Sequence, residues 1–162
     1  MNQKVLLRGK FGVDLHRNGK IIAHYDFPNG IVDEGINHIL DVQFNEETQV
    51  TDWYIGLVDN SSWTAFADAD TMASHAGWIE NEDYEEVTRP QWTVGEASER
   101  AVTNAVSVDF SINDTVTIKG VFIASSSTKG GTSGVLWSTG AFGAEVPLQN
   151  GDTLKITYTV TG

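Results

Sequence analysis

The sequence predicts an all-β protein: a jelly-roll-like β-sandwich over residues 31–162, an N-terminal β-hairpin over 1–30, and one short amphipathic helix at 31–44. Three observations carry this expectation. Eight or nine short runs of alternating or β-branched residues are separated by glycine-rich punctuation, the pattern of two-sheet sandwiches including jelly rolls. One stretch alone switches to helical periodicity. No helical stretch falls between the later strands, where a doubly wound α/β fold requires one. A chain of 162 residues is the size of one ordinary domain and can bury a sizeable core.

The hairpin is read from Val5, Leu7, Phe11, Val13 and Leu15, largely at period two. Asn18-Gly19 follows, the pair best able to adopt the positive φ angles of a type I′ turn, and Lys20–Phe27 returns. Pro28-Asn29-Gly30 ends that strand. Val32, Ile36, Ile39, Leu40 and Phe44 then recur at helical spacing, with Asp33 and Glu34 in the first turn, where the helix dipole favours negative charge. This apolar stripe is expected to cap an open end or edge of the β-core. Its polar face lacks the lysine and arginine of a membrane-surface helix.

From Trp53 onward the pattern is strands and loops. Trp53–Val58 is a β-prone run, and Val87–Val94 contains Pro90, which belongs at an edge, a bulge or a strand start. Ala105–Ile112 alternates; Thr115–Ala124 follows, with a bend expected at Gly120. Val135–Trp137 and Ala144–Leu148 read as two short strands, and Asn150-Gly151-Asp152 turns into the last strand, Thr153–Val160. The segment from Asn60 to Glu82 is long for a loop and holds Trp63, Phe66, Met72 and Trp78, so it is either a packed Ω-type loop or a contact surface.

The net charge of −12 is unevenly placed. Residues 1–40 balance at +1, residues 41–100 hold fourteen acids against Arg89 and Arg100, and residues 101–162 come to −1. Such a chain is repelled by DNA and by anionic membranes, so neither is an expected partner. Its acidic third reads either as a binding surface or as a solvated face, while the locally basic N-terminal segment suits an acidic partner. No apolar run is long enough to span a bilayer, and charge interrupts the N-terminus too early for a signal peptide. Cysteine is absent, which removes disulfides, thiolate metal sites and cysteine nucleophiles.

No catalytic constellation emerges. His16, His24, His38 and His75 lack the i, i+4 spacing of a metalloprotease motif. Asp68-Ala69-Asp70 begins like a calcium loop, but Met72, Ala73 and Ile79 fall where a third ligand, the turn glycine and the closing glutamate belong, leaving at most a weak cation site. The run Glu80, Glu82, Asp83, Glu85 and Glu86 reads as a solvated face; a glycosidase pair needs one desolvated acid facing its partner across a sugar. Ser125–Gly134 places Lys129 before its glycines, the reverse of a P-loop, and reads as a mobile or partner-ordered connection. No G-x-S-x-G elbow occurs. The chain is expected to be no enzyme and to need no cofactor.

Five tryptophans remain. Trp53 and Trp137 are assigned to the core, whereas Trp63 and Trp78 are candidate interface anchors or, alternatively, an aromatic platform for sugars. The candidate interface residues are therefore Trp63, Phe66, Met72 and Trp78, with Lys4, Arg8 and Lys10 on the basic N-terminal segment, a candidate docking arm.

Four separated stretches, Trp53–Asn60, Asp70–Trp78, Thr88–Trp92 and Ser126–Trp137, occur in an order that resembles a family of small structural proteins of tailed bacteriophages, over roughly residues 35–162. The resemblance implies a virion protein made in the host cytoplasm and carried on the capsid exterior. Some members of such groups are cement proteins that bridge capsomers, with the major capsid protein and further copies of themselves as partners. A tail or baseplate subunit and a carbohydrate-binding adhesion module are the alternatives. The resemblance supplies no catalytic residues.

Overall fold

A computed structural model describes residues 5–162. Ten β-strands and one α-helix follow one another among these residues: β1 (Arg8–Arg17), β2 (Lys20–Ile31), α1 (Asp33–Phe44), β3 (Trp53–Asp59), β4 (Glu80–Asn81), β5 (Gln91–Trp92), β6 (Ala101–Thr103), β7 (Val108–Ser111), β8 (Val116–Ala124), β9 (Leu136–Leu148) and β10 (Thr153–Thr161). All ladders are antiparallel, in the order β4-β3-β8-β9-β2-β1-β10-β6, with β5 on β3 and β7 on β10. The sheet curls so that its two halves face each other. Phe11, Val13 and Leu15 of one half share a core with Ile55, Leu57, Val121 and Ile123 of the other. The protein is all-β with a single short helix and a sandwich-like core, as the strand pattern predicts.

The β1–β2 turn has the expected chemistry. Asn18 and Gly19 both take positive φ, 51° and 74°, as a type I′ turn demands. The hairpin is not a separate arm. β1 lies between β2 and β10, paired with β10 from Arg8↔Thr161 to His16↔Thr153, and its alternate residues are core. The hairpin ladder slips at Leu15/His16, where Ile22 has no partner across β1.

Two expected short strands are one long strand, β9. The intervening Ser138–Gly143 looks turn-like in sequence, but Gly140 serves packing: a Cβ there would lie 2.9 Å from the Phe11 ring and 3.1 Å from Phe27. Glycine marks a close approach, not a turn. Gly120 behaves as expected, since the β8 ladder shifts register between Ile118 and Gly120. The Asn60–Glu82 segment is a packed loop. Its Met72 and Trp78 join Val32, Val58, Phe122, Ala124 and Leu136 in a second core cluster on the outer side of β3 and β8.

The helix departs from expectation in a consequential way. It begins at Asp33, after Val32 donates its N–H to the Trp137 carbonyl (3.2 Å). The Glu34 carboxylate accepts from the Leu136 N–H (2.7 Å), and Gly35 seats against Trp137, where a Cβ would stand 2.5 Å from the carbonyl oxygen. These anchors fix the rotation of the helix. The inner face is Gly35, Ile39 and Val42, so Ile36, Leu40 and Phe44 point outward, 36%, 49% and 79% exposed. The apolar stripe expected to cap the core is therefore mostly a surface stripe.

Candidate functional site

The inner face of α1 does not close completely on the sheet. Between them lies an open cleft of about 550 Å³, within the range of ligand or side-chain pockets. One wall is α1 and the segment after it, with Ile39, Val42, Phe44 and Val50. The other is formed by strand ends: Leu7 before β1, Val102 of β6, Val160 of β10, and Val94 after β5. Its floor holds Trp53, Trp92 and Trp137.

Two of these tryptophans are pre-satisfied. The Trp92 indole N–H donates to Asn104 Oδ1 (2.7 Å), and the Trp137 indole N–H donates to the Tyr158 hydroxyl (2.9 Å). Asn29 Nδ2 also donates to that hydroxyl (2.8 Å), and burial raises the Tyr158 phenol above its ordinary pKa. With the polar edges engaged inside the protein, apolar ring surface is left for the cleft. Trp53 stands 6.0 Å from Trp137 and meets His38 edge-on. Among the described residues no Asp, Glu, Lys or Arg lines the cleft; His38 is its one titratable side chain. Asp41 lies within α1, Glu46, Glu47 and Asp52 follow it in sequence, and the one Lys or Arg between Asp33 and Glu99 is Arg89.

Arg89 is not available at the surface. It is 1% exposed and makes a two-pronged pair with Glu80, Nε to Oε1 at 2.8 Å and Nη2 to Oε2 at 2.7 Å. It also donates to the carbonyls of Ser126 and Gly131, both at 2.9 Å, and lies over the Phe122 ring. Lys129 donates to the carbonyls of Tyr84 and Glu86, and the Gly130 N–H donates to Glu80 Oε2. Two expectations are corrected here. The acidic run is not simply a solvated face, because Glu80 is a buried counter-ion and Glu86 accepts from the Ser111 N–H. The 125–134 connection is not loose, because Arg89 and Lys129 clasp it.

The expected interface residues separate. Met72 and Trp78 are buried, 1% and 2% exposed, so neither can anchor a partner or form a sugar platform in the folded chain. Trp63 and Phe66 pack edge-on at the margin of the same cluster, half-buried, with Lys119 Nζ over the Trp63 ring. Lys10 pairs with Asp26 at 3.2 Å, and Arg8 is exposed beside the cleft residue Leu7. Lys4 lies outside the described residues. Asp70 is committed internally: one carboxylate oxygen accepts from the Trp78 indole N–H and the Ala67 N–H, both 2.9 Å. Among the described residues, no group of three or more His, Cys, Asp or Glu is placed to hold a metal ion.

The cleft escaped the sequence reading, although a signal for it was present. Residues 32–44 carry Val32, Ile36, Ile39, Leu40, Val42 and Phe44, more apolar residues than one core-facing stripe accommodates. A helix apolar on two faces either is wholly buried or leaves one face for something else. No protein-family model and no curated protein matches the chain.

Proposed function

We propose that the protein is a structural component of a tailed-phage particle, a decoration protein of jelly-roll-like form that binds the outside of the head and bridges capsomers without catalysing a reaction. The observation that carries this reading is the apolar end of the molecule. There the exposed stripe Ile36, Leu40 and Phe44 runs into the tryptophan-floored cleft. Contiguous exposed apolar surface bordered by charge marks a contact site, and the cleft walls supply the aromatic and aliphatic groups that dominate binding hot spots. The four sequence stretches that resemble phage structural proteins support the same reading. Bridging two neighbours stabilises both through effective concentration, so modest contacts at each end suffice.

The test is a comparison of heads assembled with and without the protein. Heads that contain it are expected to withstand heat or osmotic shock that empties heads lacking it, and addition of purified protein is expected to restore resistance. Equal resistance in both, or tagged protein found on tails alone, overturns the head assignment.

A further inference from the structure

β2 is held on one side only. From Lys20 to Asn29 it pairs with β1, but β9 reaches its other side only at Gly30 and Ile31. Among the described residues nothing else hydrogen-bonds to the main chain of Lys20–Asn29 from that side. A row of unpaired backbone N–H and C=O groups is a template for another strand. The other margins of the sheet are blunted. β4 and β5 have two residues each, β6 three and β7 four. The free side of β9 is interrupted between Ala141 and Val146, where its ladder with β8 slips. Gly143 lies in that interruption, the Phe142 carbonyl accepts from Lys119, and Pro147 has no N–H to offer. In β2, by contrast, the hairpin slip at Ile22 and Pro28 bound a plain stretch, Ala23–Phe27, with no lysine, proline, glycine or bulge.

The stretch complements itself. Antiparallel pairing about a two-fold axis at Tyr25 sets His24 opposite Asp26 of the second copy, Ala23 opposite its Phe27, and Ile22 opposite its Pro28. An imidazole then meets an acid, a small side chain meets a large one, and two exposed apolar groups leave water together. Such a contact also avoids the repulsion that a net charge of −12 imposes on most approaches of two copies. Asp26 is the one acid of β2, and it is answered within its own copy by Lys10 and His24, each 3.2 Å away. We infer that β2 pairs edge to edge with β2 of a second copy, antiparallel, so that two sheets become one across a two-fold axis. The contact is isologous: each edge satisfies the other, and association stops at the dimer. It goes beyond the proposed function and holds whether or not the protein sits on the head.

The experiment uses the full chain, with circular dichroism to show that each variant keeps its sheet. Sedimentation velocity from micromolar to millimolar concentration is expected to show monomer passing into dimer and nothing larger. Hydrogen exchange of the wild type is read over the same range. The outward N–H groups within Ala23–Phe27 are expected to exchange about tenfold more slowly once about nine-tenths of the chain is dimeric, while the amides of β6 and β7 keep their rates. Because the chain has no cysteine, single cysteines report the register. His24→Cys mixed with Asp26→Cys is expected to form a mixed disulfide at least several-fold faster than either variant forms one with itself, since opposed positions lie about 5 Å apart and diagonal ones about 7–8 Å. A chain monomeric throughout, growth beyond the dimer, dimers whose β2 amides exchange as in the monomer, or β2 protection seen only when another protein is added overturns the inference. A mixed disulfide no faster than the self-disulfides does so too. Protein that protects heads while monomeric in solution leaves the proposed function standing without this pairing; dimers with no effect on heads do the reverse.

Discussion

Removing Arg89 tests whether the loops around β4 and β5 are held by one buried cation. The guanidinium forms both bonds to Glu80 and caps two carbonyls on the 125–134 connection, with its side chain fully buried and that of Glu80 7% exposed. In Arg89→Ala, Glu80 retains the Gly130 N–H as a donor but loses its counter-ion, and breaking a buried pair from one side costs about 3–5 kcal/mol. For a domain of this size each kcal/mol lowers Tm by about 2–4 °C, so a fall of roughly 10 °C is expected in a calorimetric melt. Denaturant titration should show the same loss as a lower midpoint.

The partner mutation sharpens the test. In Glu80→Gln/Arg89→Met the uncompensated charge is gone, and what remains is the two orphaned carbonyls, on the order of 1–3 kcal/mol each where no water reaches them. The double variant should therefore be more stable than the sum of its single variants by about 1–3 kcal/mol, the coupling expected of groups in one network. An Arg89→Ala melt within about 1 °C of wild type, or strict additivity in the cycle, would refute the claim that this pair organises the loops.

Other expectations follow from single contacts. Gly35→Val should destabilise by about 1–3 kcal/mol through overpacking against Trp137, seen in a chemical melt, whereas Phe44→Asp should shift the same melt by less than about 0.5 kcal/mol because its side chain is already in solvent. Trp78→Ala should cost about 3–5 kcal/mol as a core deletion, and a glycan-array signal that survives it would show that this residue is no sugar platform. The Arg17 hydrogen bonds hold the Asp152 carboxyl below its ordinary 3.8, so the stability they confer is complete above that value and is lost as pH falls through the lower folded value. Asp152→Asn should flatten that acid limb. His24 donates to Asp14 (2.6 Å) and faces Asp26 (3.2 Å), which raise its pKa above 6.5, Asp14 more than Asp26. Its small contribution is thus present below 6.5 and disappears as pH rises through the folded value; an NMR titration should show Asp14→Asn moving the His24 midpoint down.

Local signals were legible wherever one short-range rule decided the structure. Asn18-Gly19 announced its turn, Phe11, Val13 and Leu15 announced a buried face, and Gly120 announced a kink in the ladder. Failures arose where a distant residue decided. Gly140 looks like a turn residue until the Phe11 and Phe27 rings are placed against it, and the rotation of α1 depends on Gly35 meeting Trp137, roughly a hundred residues away in sequence. Arg89 and Glu80 belong to an apparently featureless charged stretch; nothing in their spacing says that this pair, among six charged residues, goes inside. Met72 and Trp78 were misassigned because a long loop with large apolar residues has two physical solutions, and composition does not choose between them.

The acidic middle third illustrates why net charge is a poor guide until burial is known. Glu80, Asp70 and Glu86 accept from donors inside the protein, and in doing so they fix the loops that cover β3 and β8. Their charge acts as structure. Among the described residues Asp41, Glu46, Glu47 and Asp52 are in no ion pair, and Asp41 and Asp52 accept instead from the neutral side chains of Asn45, Thr51 and Gln91. The apolar cleft is thus flanked in sequence by both signs of charge, with Glu46, Glu47 and Asp52 after its α1 wall and Arg8 and Arg100 beside its strand-end residues Leu7 and Val102, so net charge alone does not tell what meets it.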